Sequence, residues 1–514
     1  MKRADLMRHH TWIMSAALAV PTACAGAVDE GDRNARSGSA AASDLVEIDV
    51  TDSCIVGAPE DGIWNNVMVG SEIEVGQNET NAFYYTLVVP VLDEARYGEA
   101  YIEMRGQYPN ARFASFRSES LAEGWATIDT RFDYQVDPDE GSVNPYRGLP
   151  YPADGSQSVD YTLRLSVNDI PDQIHDPDGD DELFVGYSSE GVLQDSATIV
   201  NRIYRSRATG EDGRVDPKGG VPLPRVFYVY DPATATPETP RDALAFCDLI
   251  DRSAAEASEQ VFLATDAIAD REALTVLRSA GTADVPGYEP PEGVDWWVFS
   301  SIEETLRLAF PHGDAPEPGT SEPSLEYDYL SAFFDPKRGT EGEVLVFRFK
   351  APESPDDDDI ITNDSTPLRY WSVCPMQTLN FMYTYPRCIA DHELVRDPDD
   401  AAFVTVVMSL PENRPRGLCS TLSDEHPVRC RYNWIPFPGP VSAVSLRQRA
   451  HNAALFPESV KTFTGNPSCS RDLYEHMGAY YPSGRYCSKR QFESGACTIS
   501  APVFGDGCAS IPPQ

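Results

Sequence analysis

Leu368-Arg369-Tyr370-Trp371-Ser372-Val373 decides how the chain is read, because Ala111-Arg112-Phe113-Ala114-Ser115-Phe116 repeats its order of arginine, aromatic, any residue, serine and apolar residue. Three further pairs of segments flank this match in the same succession. Gly98-Glu99-Ala100-Tyr101-Ile102 is echoed by Gly342-Glu343-Val344-Leu345-Val346. Tyr161-Thr162-Leu163-Arg164-Leu165-Ser166-Val167 is echoed by Val404-Thr405-Val406-Val407-Met408-Ser409-Leu410, and Val221-Pro222-Leu223-Pro224 by Ile435-Pro436-Phe437-Pro438. Ordered self-similarity points to one supersecondary unit used twice.

The unit reads as strands. Tyr161, Leu163, Leu165 and Val167 alternate with Thr162, Arg164 and Ser166, so one face can pack while the other meets water. Phe83 to Val89 and Val226 to Tyr230 are β-branched and aromatic, and breakers such as Asn144-Pro145 punctuate the runs. The expected fold is mainly β: two similar β-sandwich or jelly-roll-like units, at 45–231 and 341–460. Arg112 and Arg369 repeat between them, which predicts a structural pairing with a carboxylate inside each sandwich. Between the units, 232–340 reads as a helical insert, with Leu244, Cys247 and Ile250 at helical spacing after Pro240, and further helices over Asp270 to Ser279 and Ser301 to Phe310.

The ends differ from the middle. Residues 1–25 have the basic start, short apolar run and small residues of a secretory signal, and 26–44 a polar linker. Cleavage after Ala25 gives a free secreted protein, and cleavage before Cys24 with lipidation of its thiol gives a membrane-anchored one; both outcomes stay open. Of 514 residues, 41 are Lys or Arg and 81 Asp or Glu, a formal net charge of -40. Such a surface repels nucleic acid and anionic lipid, leaving a lipid anchor as the one expected route to a membrane. Residues 401–514, by contrast, hold 11 basic against 8 acidic residues and six of the eleven cysteines. No C-x-x-C occurs, so disulfides in an oxidising compartment are expected among Cys374, Cys388, Cys419, Cys430, Cys469, Cys487, Cys497 and Cys508. The close pairs Cys374 with Cys388 and Cys419 with Cys430 suit hairpin staples. Residues 461–514 read as a small cysteine-rich tail held by such staples, with its tyrosines packed around them.

Asn433-Trp434-Ile435-Pro436-Phe437-Pro438, followed by a strand ending Leu446-Arg447, resembles the C-terminal hairpin of bacterial exported domain-of-unknown-function families that carry Asn-Trp-Leu-Pro-x-Pro. The resemblance covers about fifteen residues, with Ile435 in place of leucine and Gln448 where a further apolar residue is the pattern. It implies a β-rich exported protein with Trp434 in a structural role, and no catalytic residues.

Several chemistries lack their local geometry here: G-x-S-x-G, H-E-x-x-H, G-x-x-x-x-G-K and G-x-G-x-x-G are all missing from the chain. Asp176, Asp178, Asp180 and Glu182 alternate along an acidic turn and suit a hard cation such as calcium, although the loop is not an EF-hand. Asp391-His392-Glu393 is the densest titratable cluster. On a strand, Asp391 and Glu393 share a face and form an acid and base pair if that face lines a cleft. The leading expectation is an exported cell-envelope or extracellular binding protein, with a glycan among its candidate ligands. The alternative is an extracellular polysaccharide hydrolase that uses this carboxylate pair in a cleft between the units.

Overall fold

Alternation builds the strand at 160–167 as the sequence predicts, whereas other long strands, such as the one at 111–120, are buried on both faces. Tyr161, Leu163 and Leu165 are buried while Arg164 between them is exposed. The computed structural model describes residues 45–499, leaving out chiefly 55–61, 69–73, 76–81, 121–125, 168–180, 188–191, 251–293, 299–326, 335–342, 378–382 and 421–429. In chain order the strands are β1 (Val46–Asp49), β2 (Asn65–Met68), β3 (Glu74–Val75), β4 (Ala82–Pro90), β5 (Ala100–Gln107), β6 (Ala111–Ser120), β7 (Ala126–Phe132), β8 (Asp160–Val167), β9 (Glu182–Val185), β10 (Ser196–Ser206) and β11 (Arg225–Tyr230). The later part adds β12 (Trp297–Val298), β13 (Tyr327–Phe334), β14 (Val344–Lys350), β15 (Leu368–Gln377), β16 (Tyr383–Thr384), β17 (Ile389–Ala390), β18 (Phe403–Ser409), β19 (Leu418–Ser420), β20 (Tyr432–Pro436), β21 (Ser442–His451) and β22 (Ser483–Cys487).

These strands form a mainly β fold of several sheets. In the first half the orders are β1-β11-β5-β8-β9 and β2-β4-β10-β6-β7. In the second they are β19-β20-β18-β14-β22 and β12-β13-β21-β15-β16-β3, with β17 also pairing β15. Without the flanking strands, β11-β5-β8-β9 matches β22-β14-β18-β20, and both runs end on a parallel pair. Likewise β4-β10-β6-β7 matches β13-β21-β15-β17, and the chain visits the matching strands in the same succession. Register agrees residue by residue. Ser115 lies opposite Arg202 and Phe132, as Ser372 lies opposite Arg447 and Ala390. Arg202 in turn lies opposite Tyr84, as Arg447 does opposite Tyr329, and each guanidinium sits over that ring, at 5.5 and 4.8 Å.

Each half has a core drawn from both of its sheets. Ile102, Met104 and Leu163 meet Tyr85, Leu87 and Ile199 in the first, and Leu345, Phe347 and Val406 meet Trp371, Val373 and Leu446 in the second. The register also corrects two of the echoes. Leu165 faces Ile102 as Met408 faces Leu345, so the counterpart of Ile102 is Leu345 and the glycine-led echo is one residue out of step. A slip of one turns a strand over, and Val346 indeed packs on the opposite face with Val407 and Trp434. Ile435 lies on β20, whose counterpart is β9, whereas Val221 to Pro224 lead into β11. That last echo joins unrelated positions.

Beyond the strands, a short helix, Ala243–Cys247, begins the insert, and Asp242 caps it by accepting from the Ala245 N–H at 2.9 Å. Phe246 and Cys247 are its buried residues; Leu244, expected on the packed face, is exposed. The other two expected helices of the insert lie outside the described residues. In the tail, β22 pairs with β14, while Leu473, Met477 and Tyr481 enter the second core, so this segment extends a sheet as well as carrying a staple. Both expected short disulfides are present, Cys374–Cys388 and Cys419–Cys430. They are joined by Cys487–Cys497 and by Cys54–Cys247, which ties the start of the first half to the helix that follows β11. Cys469 is also disulfide-bonded, whereas Cys24 and Cys508 lie outside the described residues.

Candidate functional site

The repeated arginines each reach into the other half. Asp391 stands directly after β17, where the chain leaves the sheet in a 3-10 turn, Asp391–Glu393, instead of continuing as the expected strand. Arg112 on β6 donates through Nη1 to both of its carboxylate oxygens at 2.7 Å, and each side chain is only 1% exposed. The same carboxylate accepts from the His392 backbone N–H at 2.8 Å and lies 3.2 Å from His392 Nδ1. Burial pushes the Asp391 carboxyl up, but the hydrogen bond with His392, the Arg112 charge and a hydrogen bond with Ser354 outweigh it, and the group ends below the usual carboxylate range.

The mirror contact is built at the matching place. Asp133 stands directly after β7, and its carboxylate forms an ion pair with Arg369 on β15, both fully buried. It also accepts from the Ala114 N–H and the Tyr134 N–H, each at 2.7 Å. The Arg369 guanidinium lies 5.1 Å from the Tyr134 ring centre and 5.5 Å from that of Tyr146. Here burial pushes the carboxyl up and prevails over the opposing pull of Arg369 and the backbone donors. The expectation of a pairing inside each sandwich is therefore corrected: the two ion pairs are reciprocal and run between the halves. Losing one partner of such a buried pair leaves a stranded charge, which costs about 3–5 kcal/mol.

Between the two ties the halves meet through packed rings. Tyr84, Phe113 and Tyr204 from the first half cluster with Tyr370 and Ala390 from the second, with the Tyr204 and Tyr370 rings 5.5 Å apart. Arg449 lies 5.2 Å over Tyr204. Ile361, from the connection between β14 and β15, enters the core of the first half. Beside it Arg207 donates to the Asp356 and Asp359 carbonyls at 2.6 and 3.0 Å, so this connection is bound to the first half. The small strand β3 adds to the sheet of the second half through β16.

The residues singled out for chemistry are thus placed as follows. Asp391 faces inward on Arg112, whereas Glu393 turns back to accept from the Ala390 N–H at 2.9 Å. The two carboxylates do not share an open strand face. His392, partly exposed, is the titratable group of this turn nearest to solvent. Trp434 is buried, donates to Ser409 Oγ at 2.9 Å and lies under Arg414 at 4.5 Å. Its register counterpart is Glu182, so the two halves carry different residues at this matching position. Asp176, Asp178 and Asp180 lie outside the described residues; Glu182, on β9, is 4.0 Å from Arg164. Among the described residues no three His, Cys, Asp or Glu side chains gather as a metal site. Sequence reasoning missed Asp133. Its signal is the acid 21 residues after Arg112, matched by Asp391 22 residues after Arg369.

No protein-family model and no curated protein matches the chain. Among solved structures, it is similar to an uncharacterized protein from Burkholderia cenocepacia at 11% identity over 74% of this chain and 75% of that one, with a TM-score of 0.33. A protein from Vibrio parahaemolyticus is similar at 13% identity over 77% of this chain and 90% of its own, with a TM-score of 0.30.

Proposed function

We propose that the chain is an exported, non-catalytic binding protein of the cell envelope or extracellular space, built from two copies of one two-sheet sandwich locked face to face. The observation that carries this reading is the fate of the charged groups. Asp391 and Glu393, the pair a hydrolase would need, are engaged as an ion-pair partner and a backbone acceptor, and the surface where a catalytic cleft was expected is filled by tyrosines and arginines. Matching strand succession and register support the two copies. The disulfides favour an oxidising compartment. A scaffold locked in this way suits recognition by preformed surfaces, which lose little entropy on binding.

The test is a binding screen of the full chain against glycans and envelope fractions, run beside hydrolysis assays on the same polysaccharides. Saturable binding without product release is the expected result. Turnover that is lost in Glu393→Gln would establish the hydrolase instead. Mass spectrometry of the mature N-terminus distinguishes cleavage after Ala25 from lipidation at Cys24.

A further inference from the structure

The cores of the two halves differ at three matching positions. In the second, Phe349, Trp371 and Leu446 are buried in one cluster, with the rings of Phe349 and Trp371 edge to face at 5.6 Å. Register puts Gly106, Ala114 and Asn201 at these points of the first half. Gly106 faces Tyr161 as Phe349 faces Val404, and Asn201 faces Phe116 as Leu446 faces Val373. Ala114 precedes Ser115 as Trp371 precedes Ser372. Tyr161 takes part of the vacated space, and it can do so because position 106 is glycine: a Cβ there would meet the Tyr161 hydroxyl at 2.7 Å.

The remainder stays open as a hollow of about 20 Å³, walled by Tyr108, Phe116, Tyr161, Asn201, Pro222 and Pro224. That is room for one water-sized group. Asn201 is 5% exposed, and among the described residues its side chain makes no hydrogen bond, so its amide is left to the hollow. The Tyr161 hydroxyl is in the same condition, and burial alone pushes its proton affinity up. Two donor-acceptor groups therefore line one small space. Lys218 lines the same hollow and disfavours a cation, while Asp133 lines it and disfavours an anion. An amide and a phenol, each able to donate and accept, match a neutral hydroxyl. The outer wall, half-exposed Leu223 and exposed Pro222 beside half-exposed Gln107, offers apolar surface and an amide to the rest of such a molecule.

We propose that the hollow beside Asn201 is a recognition pocket for a neutral saccharide, which inserts one hydroxyl group between the Asn201 amide and the Tyr161 hydroxyl. The proposal rests on the binding-protein reading and names its ligand class. Calorimetric titration of the full chain with glucose, galactose, mannose, N-acetylglucosamine and dextran tests it. At least one of these probes binds, Asn201→Leu, which installs the residue of the other half, weakens it at least about tenfold, and Tyr161→Phe weakens it about three- to tenfold. Should Asn201→Leu fail to fold, the shape-conserving Tyr161→Phe carries the test alone. Undiminished saccharide binding by the folded variants overturns the pocket and leaves the binding-protein reading standing. Capture of envelope fractions with no saccharide bound has the same meaning and corresponds to a hollow that holds a buried water only. Turnover of dextran would overturn both.

Discussion

The ties between the halves occupy equivalent places but hold their carboxylates differently. Asp391 receives Arg112 through both oxygens and has His392 and Ser354 as further partners, and its carboxyl lies below the usual range. Asp133 has Arg369 and two backbone donors, and burial lifts it above that range. The cores diverge in the same manner, filled by Phe349, Trp371 and Leu446 in one half and left partly hollow at Gly106, Ala114 and Asn201 in the other. Strand register agrees between the halves while the groups facing inward differ. Once the sheets fix where a residue points, its identity is free to differ between matching positions of the two halves.

The covalent ties give the largest expected effect. Cys54–Cys247 closes a sequence separation of 193 residues in the first half, whereas the second half, among bridges with both cysteines described, has separations of 14, 11 and 10. Replacing both Cys54 and Cys247 by serine should cost about 4–5 kcal/mol and removing Cys374–Cys388 about 3 kcal/mol, because the longer loop frees more of the unfolded chain. Urea unfolding of the two double variants checks the order. Equal losses would mean that the first half does not depend on its long-range closure.

Core substitution sharpens the comparison next. Trp371→Ala should lower stability by about 3–5 kcal/mol, since it empties a space bounded by Phe349 and the Arg396 guanidinium. The first half already carries alanine at the matching position, Ala114. A thermal shift well under that of a buried aromatic truncation would show that the second core is less tightly filled than its geometry indicates.

Much of this architecture is legible in the sequence, and the illegible part has a common cause. Period-two alternation marks β8, and Arg112 and Arg369 are found from a six-residue match because they occupy matching points of β6 and β15. The pairing of those arginines is not legible. Alternation says that a face is buried but not which half covers it, so a carboxylate inside each sandwich and one in the opposite half leave the same local pattern. The one-residue slip at Ile102 arises because adjacent apolar residues in β14 are buried on both faces, which removes the cue for register. Asp391 was expected on a strand because a three-residue turn after a two-residue strand is too short to show a period. The hollow has no sequence signature, since Gly106, Ala114 and Asn201 become informative only when set against their partners in the other core.

Breaking the ties one at a time tests their asymmetry. Arg112→Met strands Asp391 among groups that stabilise its charge and should cost about 3–5 kcal/mol. Arg369→Met should cost less, because burial already raises the Asp133 carboxyl and eases its taking up a proton when the guanidinium is gone. Equal losses in urea unfolding at neutral pH would mean that the two carboxylates are held alike.

Acid separates the ties by sign, with the smallest free-energy change. The Asp391 carboxyl is depressed in the folded state, so its stabilisation is present above the ordinary carboxylate value of 3.8 and is lost as pH falls through that value towards the folded one. The Asp133 carboxyl is raised, so the folded protein binds its proton more readily than the unfolded chain, and stability is gained as pH falls through the folded value. On acidification from neutrality to about pH 3, the advantage of the wild-type chain over Asp391→Asn should therefore shrink. Over the same range its margin against Asp133→Asn, the milder variant near neutrality, should move in favour of the wild type. Urea midpoints across that range give both slopes, and slopes of the same sign would show that the two ties, matched in register, are also matched in electrostatics.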